Sequence, residues 1–323
     1  MVPAEALDER PVLLCIVGQT ASGKSALALD LAEEFGLELL SVDCMQVYRG
    51  FDIGTAKPDA AEQARVAHHG IDLVGPEETF SAGAFLHYAR DVIARAESRG
   101  ARIIAVGGTG LYFRAMLHGL APSAPADPEF RSQLREQEQA TPGSGHRRLL
   151  EVDPVAGARI HPNDWVRIER ALEVFETTGE TQSRWLERHA WGEAPFRTRL
   201  LGIRWERAQL RQRIAARLEQ MFETGWIEEV RALLEAGVTV EMTPMLAVGY
   251  REIVQHLRGE LGMEELRERI LASSLRFAKH QGTWFNREPS IQWMEPGPDL
   301  VERTLPIVRS MLEDLHQPRE QGD

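Results

Sequence analysis

The chain contains 323 residues, 43% of them apolar, which is enough to bury a core and fits one large domain with an insertion or two smaller domains. Its formal net charge of −12 argues against a nucleic-acid partner unless the cations are clustered. No apolar run reaches the roughly 18 residues needed to cross a membrane, so we expect no membrane association and a cytoplasmic location. The two cysteines, Cys15 and Cys44, provide neither a disulfide framework nor zinc-ligand spacing.

A phosphate-binding loop is predicted near the amino terminus. Residues 11–35 combine an apolar strand, a glycine-bounded loop and an amphipathic helix, and the loop matches the pattern G-x-x-x-x-G-K-[ST]. The backbone N–H groups of such a loop converge on an anion, and the helix N-terminus adds roughly half a positive charge. The predicted diphosphate-binding residues are Gly18, Gln19, Thr20, Ala21, Ser22, Gly23, Lys24 and Ser25. Lys24 adds a full charge and Ser25 offers its hydroxyl to Mg²⁺, but the loop does not identify the bond that is broken.

A carboxylate is predicted at the same edge of the sheet. Residues 37–42 are a short apolar run that indicates a second strand, and Asp43 follows at its carboxyl end, where open α/β sheets bind their ligands. In a nucleotide hydrolase an aspartate at this point would hold magnesium, so that role competes with a direct role in chemistry. Residues 44–58 form a polar loop with glycine and proline, of the kind that carries function on a rigid scaffold.

A second junction of strand, glycine loop and helix follows. Residues 71–74 predict a brief strand, and residues 81–99 predict a helix that Ser81 caps. Residues 101–106 predict a buried strand that leads into Gly107-Gly108-Thr109-Gly110 and a helix to about residue 119. This junction lacks a lysine, so it is either a place of close backbone approach to a ligand with the Thr109 hydroxyl, or only a capped helix. The alternation predicts an α/β fold, with a parallel P-loop-type sheet covered by helices.

The composition changes after residue 120. A linker rich in proline and alanine precedes helical patterns over residues 127–139, 145–152, 154–160 and 163–178, the last with Asn163 as its predicted cap. Arg167 and Arg170 fall off the apolar stripe of that last helix, which would leave them able to face a ligand. We therefore predict an all-helical insertion domain at residues 120–197, between a first core segment at 1–119 and a second, helix-rich segment at 198–323.

The predicted core resumes with a strand over residues 200–205. Helices are predicted at 207–223, 225–235, 245–257 and 264–285, followed by an edge strand at 290–294 and a helix to about residue 314. Between Arg197 and Arg217, seven arginines stand against one acid, Glu206, a local balance of +6. Such a cluster fits a surface for a polyanion and equally well a solvated helix face.

Several blocks together resemble one family. They are GQTASGKS, SVDCMQVYRGFDIGTAKP, GGTGLYFRAMLHGL, DPVAGARIHPND, RIERALEV and VGYRE, in this order. On these blocks the chain resembles the tRNA dimethylallyltransferases (tRNA isopentenyltransferases) over residues 12–294. The resemblance implies transfer of a dimethylallyl group from dimethylallyl diphosphate to the exocyclic N6 amine of the adenosine just 3′ of the anticodon, with release of diphosphate. It also implies Mg²⁺ as cofactor and binding of the tRNA anticodon stem-loop by the helical insertion, and we expect a monomer.

The resemblance assigns roles to individual residues. Asp43 accepts the proton of the amine and orients it, Thr109 positions the reacting groups, and Arg217 joins Lys24 and Mg²⁺ in stabilising the leaving diphosphate. The reacting adenine has to leave its stack to reach this site. The predicted tRNA contacts are Asp43, Cys44, Met45, Gln46, Thr109, Val166, Arg167, Ile168, Glu169, Arg170, Gly249, Tyr250 and Arg251.

The chain departs from the family pattern at four positions. Cys44 stands where serine is common, Leu246 where an arginine or glutamine often precedes VGYR, and His280 and Asn286 where arginines are usual. Fewer cations predict weaker contacts with RNA and a shallow dependence of binding on salt, so that stacking of the bases carries more of the affinity.

Two other classes of protein compete with this interpretation. A P-loop small-molecule kinase shares the first hundred or so residues, but it needs neither the later blocks nor the helical insertion, and turnover of a nucleoside triphosphate would reveal it. A phosphate-regulated RNA-binding protein without catalysis keeps the basic helices but has no use for Asp43.

Overall fold

The computed structural model describes residues 10–120, 124–189 and 194–314. The chain divides into two compact units, a core unit of Met1–Leu117 with Pro195–Asp323 and a helical unit of His118–Ala194. In the described residues the strands are β1 (Val12–Val17), β2 (Glu38–Val42), β3 (His68–His69), β4 (Ile103–Gly107), β5 (Arg197–Ile203) and β6 (Ile291–Met294). The α-helices are α1 (Lys24–Phe35), α2 (Ala60–Arg65), α3 (Ala82–Ser98), α4 (Gly110–His118), α5 (Pro128–Ala140), α6 (Ser144–Val152), α7 (Pro154–Arg159), α8 (Trp165–Thr178), α9 (Gln182–His189), α10 (Arg207–Glu223), α11 (Trp226–Glu235), α12 (Tyr250–Leu257), α13 (Met263–Phe285) and α14 (Leu300–Asp314). None of the helices described is long and apolar enough to span a bilayer.

The core unit is built on a parallel sheet with the strand order β3-β2-β4-β1-β5-β6. Its central strands are continuous apolar runs, as expected for strands covered on both faces: β4 reads IIAVG and is buried throughout, and β1 reads VLLCIV and is buried except at Val12. Because all the pairings are parallel, the strands end at one common edge, which places the residues after β1, β2 and β4 together. The predicted fold class, a parallel α/β sheet covered by helices, is confirmed.

Three local predictions are wrong. The strand next to β2 is His68–His69 rather than residues 71–74, because Asp72 adopts a left-handed φ of 52° that no strand accommodates. The helix predicted over residues 245–257 is interrupted: a 3₁₀ turn at Thr243–Leu246 is followed by α12, and between them Gly249 takes a φ of 97°. Asp164, not Asn163, caps α8, since its side chain accepts a hydrogen bond from the Arg167 N–H.

A second apolar cluster holds the loop after β2 in place. The buried ring of Trp226 on α11 lies against the backbone of two glycines, since a Cβ on Gly54 or Gly249 would come within 2.2 or 2.1 Å of its atoms. Phe51 and Tyr250 pack their rings at 4.9 Å in the same cluster. The polar loop of residues 44–58 is therefore anchored to the helices of the carboxyl-terminal half, which fixes it beside the end of β2.

The helical unit has a small core of its own. It consists of Leu134, Leu149, Ala156, Ile160, Ile168, Ala171 and Leu172. Two carboxylates are buried beside this core on α8: Glu173 receives hydrogen bonds from Arg131 and Arg170, and Glu169 receives two from Arg135. Both of these glutamates are paired with at least one arginine, as buried charges require.

Candidate active site

The phosphate loop connects β1 to α1. Gly23, the residue before α1, has a φ of 91°, and Ala21 has a φ of 60° although it carries a side chain. A Cβ on Gly18 would lie 2.8 Å from Ser22 Oγ, so glycine is needed for the loop to fold back on itself. The loop borders a pocket of about 340 Å³ that is lined by Ala21, Ser22, Gly23, Lys24, Ser25, Ala26, Arg213, Ala216, Arg217 and Gln220.

Helix α10 provides the opposite wall of this pocket. Arg213 donates from Nε to the Ala21 carbonyl at 2.8 Å, and its guanidinium lies 4.4 Å from the centre of the Trp205 ring. Trp205 in turn donates from its indole Nε1 to the Ser22 carbonyl at 2.8 Å. Arg217, four residues further along the same helix, lines the pocket with Lys24. The helix thus braces the loop with one arginine and directs a second one into the pocket.

The electrostatics of the pocket favour an anion. Burial, and then the charge of Arg217, lower the pKa of Lys24 to about 8, although Asp43 acts in the opposite direction. Burial also lowers the pKa of Arg217, with Arg213 adding to that effect and Asp43 opposing it. In the part of the chain that the structure describes, no carboxylate oxygen comes within 4.0 Å of the Lys24 or Arg217 nitrogens. The cations therefore repel one another across the pocket, and an anion bound between them would relieve that repulsion.

Asp43 and Thr109 follow neighbouring strands, and Thr109 contacts the residue next to Asp43. Asp43 Oδ1 accepts hydrogen bonds from the N–H groups of Met45 (2.8 Å) and Gln46 (3.3 Å). Thr109 Oγ1 accepts one from the Cys44 N–H at 3.0 Å, and the Thr109 N–H donates to the carbonyl of Val42. Among the described residues, Asp43 Oδ2 has no hydrogen-bond donor. This arrangement holds a carboxylate in one orientation with an oxygen available to accept a proton.

Two further side chains after β2 are engaged within the protein. Gln46 accepts a hydrogen bond from the Ser41 hydroxyl and donates from Nε2 to the carbonyls of Thr55 and Ala56. Burial, and then the charge of Asp43, raise the pKa of the Cys44 thiol to about 12, so it is protonated at neutral pH. Gln46 therefore closes the polar loop, and Cys44 is not a thiolate nucleophile.

The protein residues at the pocket could supply only some of the ligands of a magnesium ion. The described residues contain no cluster of three His, Cys, Asp or Glu side chains able to hold a metal. Ser25 is exposed and lines the pocket beside Lys24. Mg²⁺ prefers oxygen ligands and keeps several waters, so a single hydroxyl suits an ion that is held mainly by the phosphate oxygens of a ligand.

Four of the predicted tRNA contacts are buried. Tyr250 is fully buried and donates its hydroxyl hydrogen bond to Glu229, and Gly249 is buried under Trp226. In the helical unit, Ile168 is 1% exposed in the apolar core, and Glu169 is 6% exposed and bonded to Arg135. The contact of these four residues with RNA stays a prediction.

The remaining predicted contacts outside the pocket differ in exposure. Val166 is 78% exposed and the Arg167 side chain is 71% exposed, with an ion pair to Asp164 at 2.7 Å. Arg170 was predicted to be able to face a ligand, but its guanidinium contacts Glu173 and donates to the carbonyl of Ala124. Arg251 is exposed and donates to the carbonyl of Val240.

The arginine cluster of residues 197–217 does not form one surface. Arg197 and Arg199 pair with Val12 and Leu14 in the first half of the sheet register, so they lie toward the edge opposite the phosphate loop. Arg213 and Arg217 lie at the pocket. Counting charges along the sequence missed this division because a strand separates residues by about 3.3 Å each and carries them across the sheet.

Sequence reasoning also missed a contact from α13. Gln281 is buried, and its side chain reaches the phosphate loop at Thr20. The contact joins residues that are 261 positions apart, and no local pattern in the sequence indicates it.

Comparisons with known proteins agree on one family. A family model described as IPP transferase matches residues 46–288, and one described as isopentenyl transferase matches residues 11–71. A tRNA dimethylallyltransferase from Geobacter metallireducens is 48% identical over 295 residues, covering 90% of this chain and 94% of the relative. One from Geobacter sulfurreducens is 46% identical, covering 88% and 91%.

Solved structures give the same result. A tRNA isopentenylpyrophosphate transferase from Bacillus halodurans has a TM-score of 0.70 at 34% identity, with coverage of 94% of this chain and 98% of that one. A eukaryotic dimethylallyltransferase described as acting on tRNA has a TM-score of 0.81 at 25% identity, with coverage of 96% and 81%. Because the family model matches most of the chain and close relatives match nearly all of it, the chain belongs to the tRNA dimethylallyltransferase (IPP transferase) family.

Proposed function

We infer that this protein transfers a dimethylallyl group from dimethylallyl diphosphate to tRNA and releases diphosphate. The observation that carries this function is the pocket at the phosphate loop, which Lys24 and Arg217 line without forming an ion pair with any described residue. The charge of Asp43 acts on both cations, so an oriented carboxylate lies near the same pocket. The relatives named tRNA dimethylallyltransferase support the same reaction. The acceptor that we propose is the N6 amine of the adenosine 3′-adjacent to the anticodon.

The reaction exchanges one bond for another. The bond between C1 of the dimethylallyl group and the diphosphate oxygen breaks, and a bond forms between C1 and the adenine N6. The electron pair of the broken bond leaves with the diphosphate, whose added charge Lys24 and Arg217 stabilise together with the N–H groups of the loop. A magnesium ion, held by the phosphates and the Ser25 hydroxyl, would supply further neutralisation of that charge.

Asp43 is the proposed general base. As N6 attacks, it loses a proton, and Asp43 Oδ2 is the oxygen available to accept it, since Oδ1 is engaged by backbone N–H groups. A positioned base of this kind contributes about 10²- to 10⁴-fold to the rate. Thr109 holds the Cys44 backbone and therefore the turn that orients Asp43, which is the positioning role we propose for it.

For the RNA contacts, we propose the exposed residues of the predicted set. Val166 and Arg167 on α8 and Arg251 on α12 present side chains that RNA could reach. Met45 and the Cys44 backbone lie in the turn beside Asp43, where the flipped adenine would be held. The monomeric state and the cytoplasmic location stay predictions.

The test is to incubate the purified protein with dimethylallyl diphosphate, Mg²⁺ and a tRNA or anticodon stem-loop that has adenosine at the proposed position. Mass spectrometry of the digested nucleosides should show a prenylated adenosine at that site and a matched amount of diphosphate released. The same assay with ATP and no prenyl donor tests the kinase alternative. Phosphate transfer from ATP without prenylation of RNA would contradict the proposed function.

A further inference from the structure

One buried side chain of α13 contacts both glycine loops of the site. Gln281 accepts a hydrogen bond at Oε1 from the Thr20 N–H, over 2.7 Å, and donates from Nε2 to the Gly108 carbonyl, over 3.1 Å. Thr20 lies in the phosphate loop, and Gly108 directly precedes Thr109. A single amide therefore joins the loop that binds the donor phosphates to the loop that carries Thr109.

Two glycines provide the space for the side chains that join α13 to the loops. A Cβ on Gly108 would lie 2.2 Å from Gln281 Nε2, so only glycine admits the amide at that point. A second side chain also joins the phosphate loop to α13, since Gln19 donates from Nε2 to the carbonyl of Ala278 at 2.7 Å. Gly282 makes space for it, because a Cβ there would lie 2.9 Å from Gln19 Nε2.

The two backbone groups require a partner with opposite polarity at its two ends. The Thr20 N–H needs an acceptor and the Gly108 carbonyl needs a donor, and a side-chain amide offers one of each. An ionised carboxylate offers two acceptors, and an apolar side chain of the same size offers neither. Gln281 is 7% exposed, so water would not readily replace a lost bond.

We propose that Gln281 is a positioning residue that sets the distance between the phosphate loop and the Thr109 loop. This inference rests on the proposed function, in which the donor diphosphate binds at the first loop and the amine reacts beside Asp43 at the second. A shift of about 1 Å between reacting groups can cost about 10²-fold in rate. Because each loop keeps its own binding groups, loss of the bridge should lower kcat and leave the affinity for each substrate alone nearly unchanged.

The first experiment compares Gln281→Met with Thr283→Val on the same helix. Methionine fills a similar volume but makes neither hydrogen bond, whereas Thr283 is exposed and bonds only to the Lys279 carbonyl of its own helix. We expect Gln281→Met to lower kcat by about 10- to 100-fold while the dissociation constants for inorganic diphosphate and for the stem-loop RNA stay within about threefold of wild type. Thr283→Val should behave as wild type in all three measurements.

The second experiment uses Gln281→Glu as a switch controlled by pH. When the introduced carboxyl is protonated it is isosteric with the amide, since its O–H can donate to Gly108 and its carbonyl can accept from Thr20. When ionised it faces the Gly108 carbonyl with a second acceptor. Burial raises the pKa of such a carboxyl, so the ratio of variant to wild-type kcat should rise several-fold as the pH falls from about 8.5 to about 6.5.

The outcomes separate the bridge from the reaction itself. If the wild type is active and the kcat of Gln281→Met is within about threefold of it, the bridge alone is overturned. The bridge alone is also overturned if the ratio of Gln281→Glu kcat to wild-type kcat does not change with pH. If Gln281→Met does not fold, the pH dependence of the Gln281→Glu ratio decides. A wild-type protein that transfers no prenyl group would overturn the proposed function and this inference with it.

Discussion

The arginines of the helical unit and the cations of the phosphate pocket are held in opposite ways. On α8, Arg170 lies against the fully buried carboxylate of Glu173, which Arg131 also binds at 2.7 Å. At the pocket, burial and then the charge of Arg217 lower the pKa of Lys24, and neither residue has a carboxylate within 4.0 Å among the described residues. Three arginines of the helical unit, Arg131, Arg135 and Arg170, are paired with its buried acids, whereas the pocket cations have no acidic partner in the described part of the chain and can bind a ligand.

This difference shows that the number of arginines in a segment does not measure its affinity for anions. A buried carboxylate paired with arginine is already neutralised, and breaking the pair leaves a buried charge without compensation. Cations that face only one another gain from any anion that enters between them. The cations of the diphosphate pocket are therefore identified by their lack of an acidic partner among the residues described, rather than by the density of arginines in the sequence.

The largest effect is expected from the carboxylate beside the pocket. Asp43→Ala and Asp43→Asn should each lower the single-turnover rate of prenyl transfer by about 10²- to 10⁴-fold, because neither side chain can accept the N6 proton. The affinity for the stem-loop should change little. Asp91→Asn, which alters an exposed carboxylate on α3, serves as the control and should leave the rate unchanged. A near-normal rate in Asp43→Asn would mean that the proton leaves by another route.

The next effect concerns the pocket cations themselves. Lys24→Ala and Arg217→Ala should each raise the barrier to transfer by about 3 kcal/mol, since each removes a positive charge aimed at the leaving diphosphate. Rates under saturating donor, and binding of inorganic diphosphate by calorimetry, measure this loss. Arg90→Ala removes one exposed positive charge from α3 and should have no effect. Unchanged rates in both pocket variants would remove the basis for the proposed site.

In the helical unit, replacing the paired arginine Arg170 should lower stability. Burial acts against ionisation of Glu173, yet its bonds to Arg131, the Asp127 N–H and Arg170 lower its pKa to about 2. Arg170→Ala removes one of these donors, and we expect a loss of about 1–3 kcal/mol in the free energy of unfolding, measured with urea. The stabilisation from Glu173 is present above the unfolded pKa near 4.5 and is lost as the pH falls toward about 2.

Arg167 provides the matched comparison on the same helix. Its side chain is mostly exposed, so Arg167→Ala should change the free energy of unfolding by less than about 0.5 kcal/mol. If it contacts an RNA phosphate, the slope of log affinity against log salt should fall by about one unit. An unchanged affinity and slope would show that this surface of α8 does not bind the RNA.

The sequence predicted the phosphate loop and the sheet class because both depend on local signals. The glycine and lysine offsets of residues 18–25 define a loop geometry by themselves, and apolar runs flanked by helices require a covered parallel sheet. The strand order, in which β4 separates β1 from β2, has no such local signal.

Two side-chain placements that the sequence did not predict also depend on distant contacts. A stripe analysis of α8 placed Arg170 off the apolar face, but its partner Glu173 lies beside the same core and draws the guanidinium inward. Tyr250 was assigned to RNA by its motif, although its ring fills a cavity between Trp226 and Phe51. Such pairings depend on tertiary packing, which periodicity along one helix does not encode.

A smaller effect should come from the titration of Lys24. With its pKa lowered to about 8, the lysine is mostly protonated at pH 7 and mostly neutral at pH 9, so the affinity for diphosphate should fall about tenfold over this range. Because the ligand also titrates, the wild-type curve should be divided by that of Lys24→Ala. A ratio that stays constant from pH 7 to pH 9 would show that Lys24 keeps its charge throughout.

The most direct test is a single-turnover measurement of prenylated adenosine in wild type, Lys24→Ala and Arg170→Ala, at a temperature where all three are folded. With dimethylallyl diphosphate and stem-loop RNA both saturating, Lys24→Ala should be slower than wild type by about 10²-fold. Arg170→Ala should stay within about threefold of wild type, because its arginine serves the fold rather than the ligand. Equal losses of rate in the two variants, or a loss in Arg170→Ala alone, would contradict the distinction between unpaired cations at the pocket and arginines that are paired with buried acids.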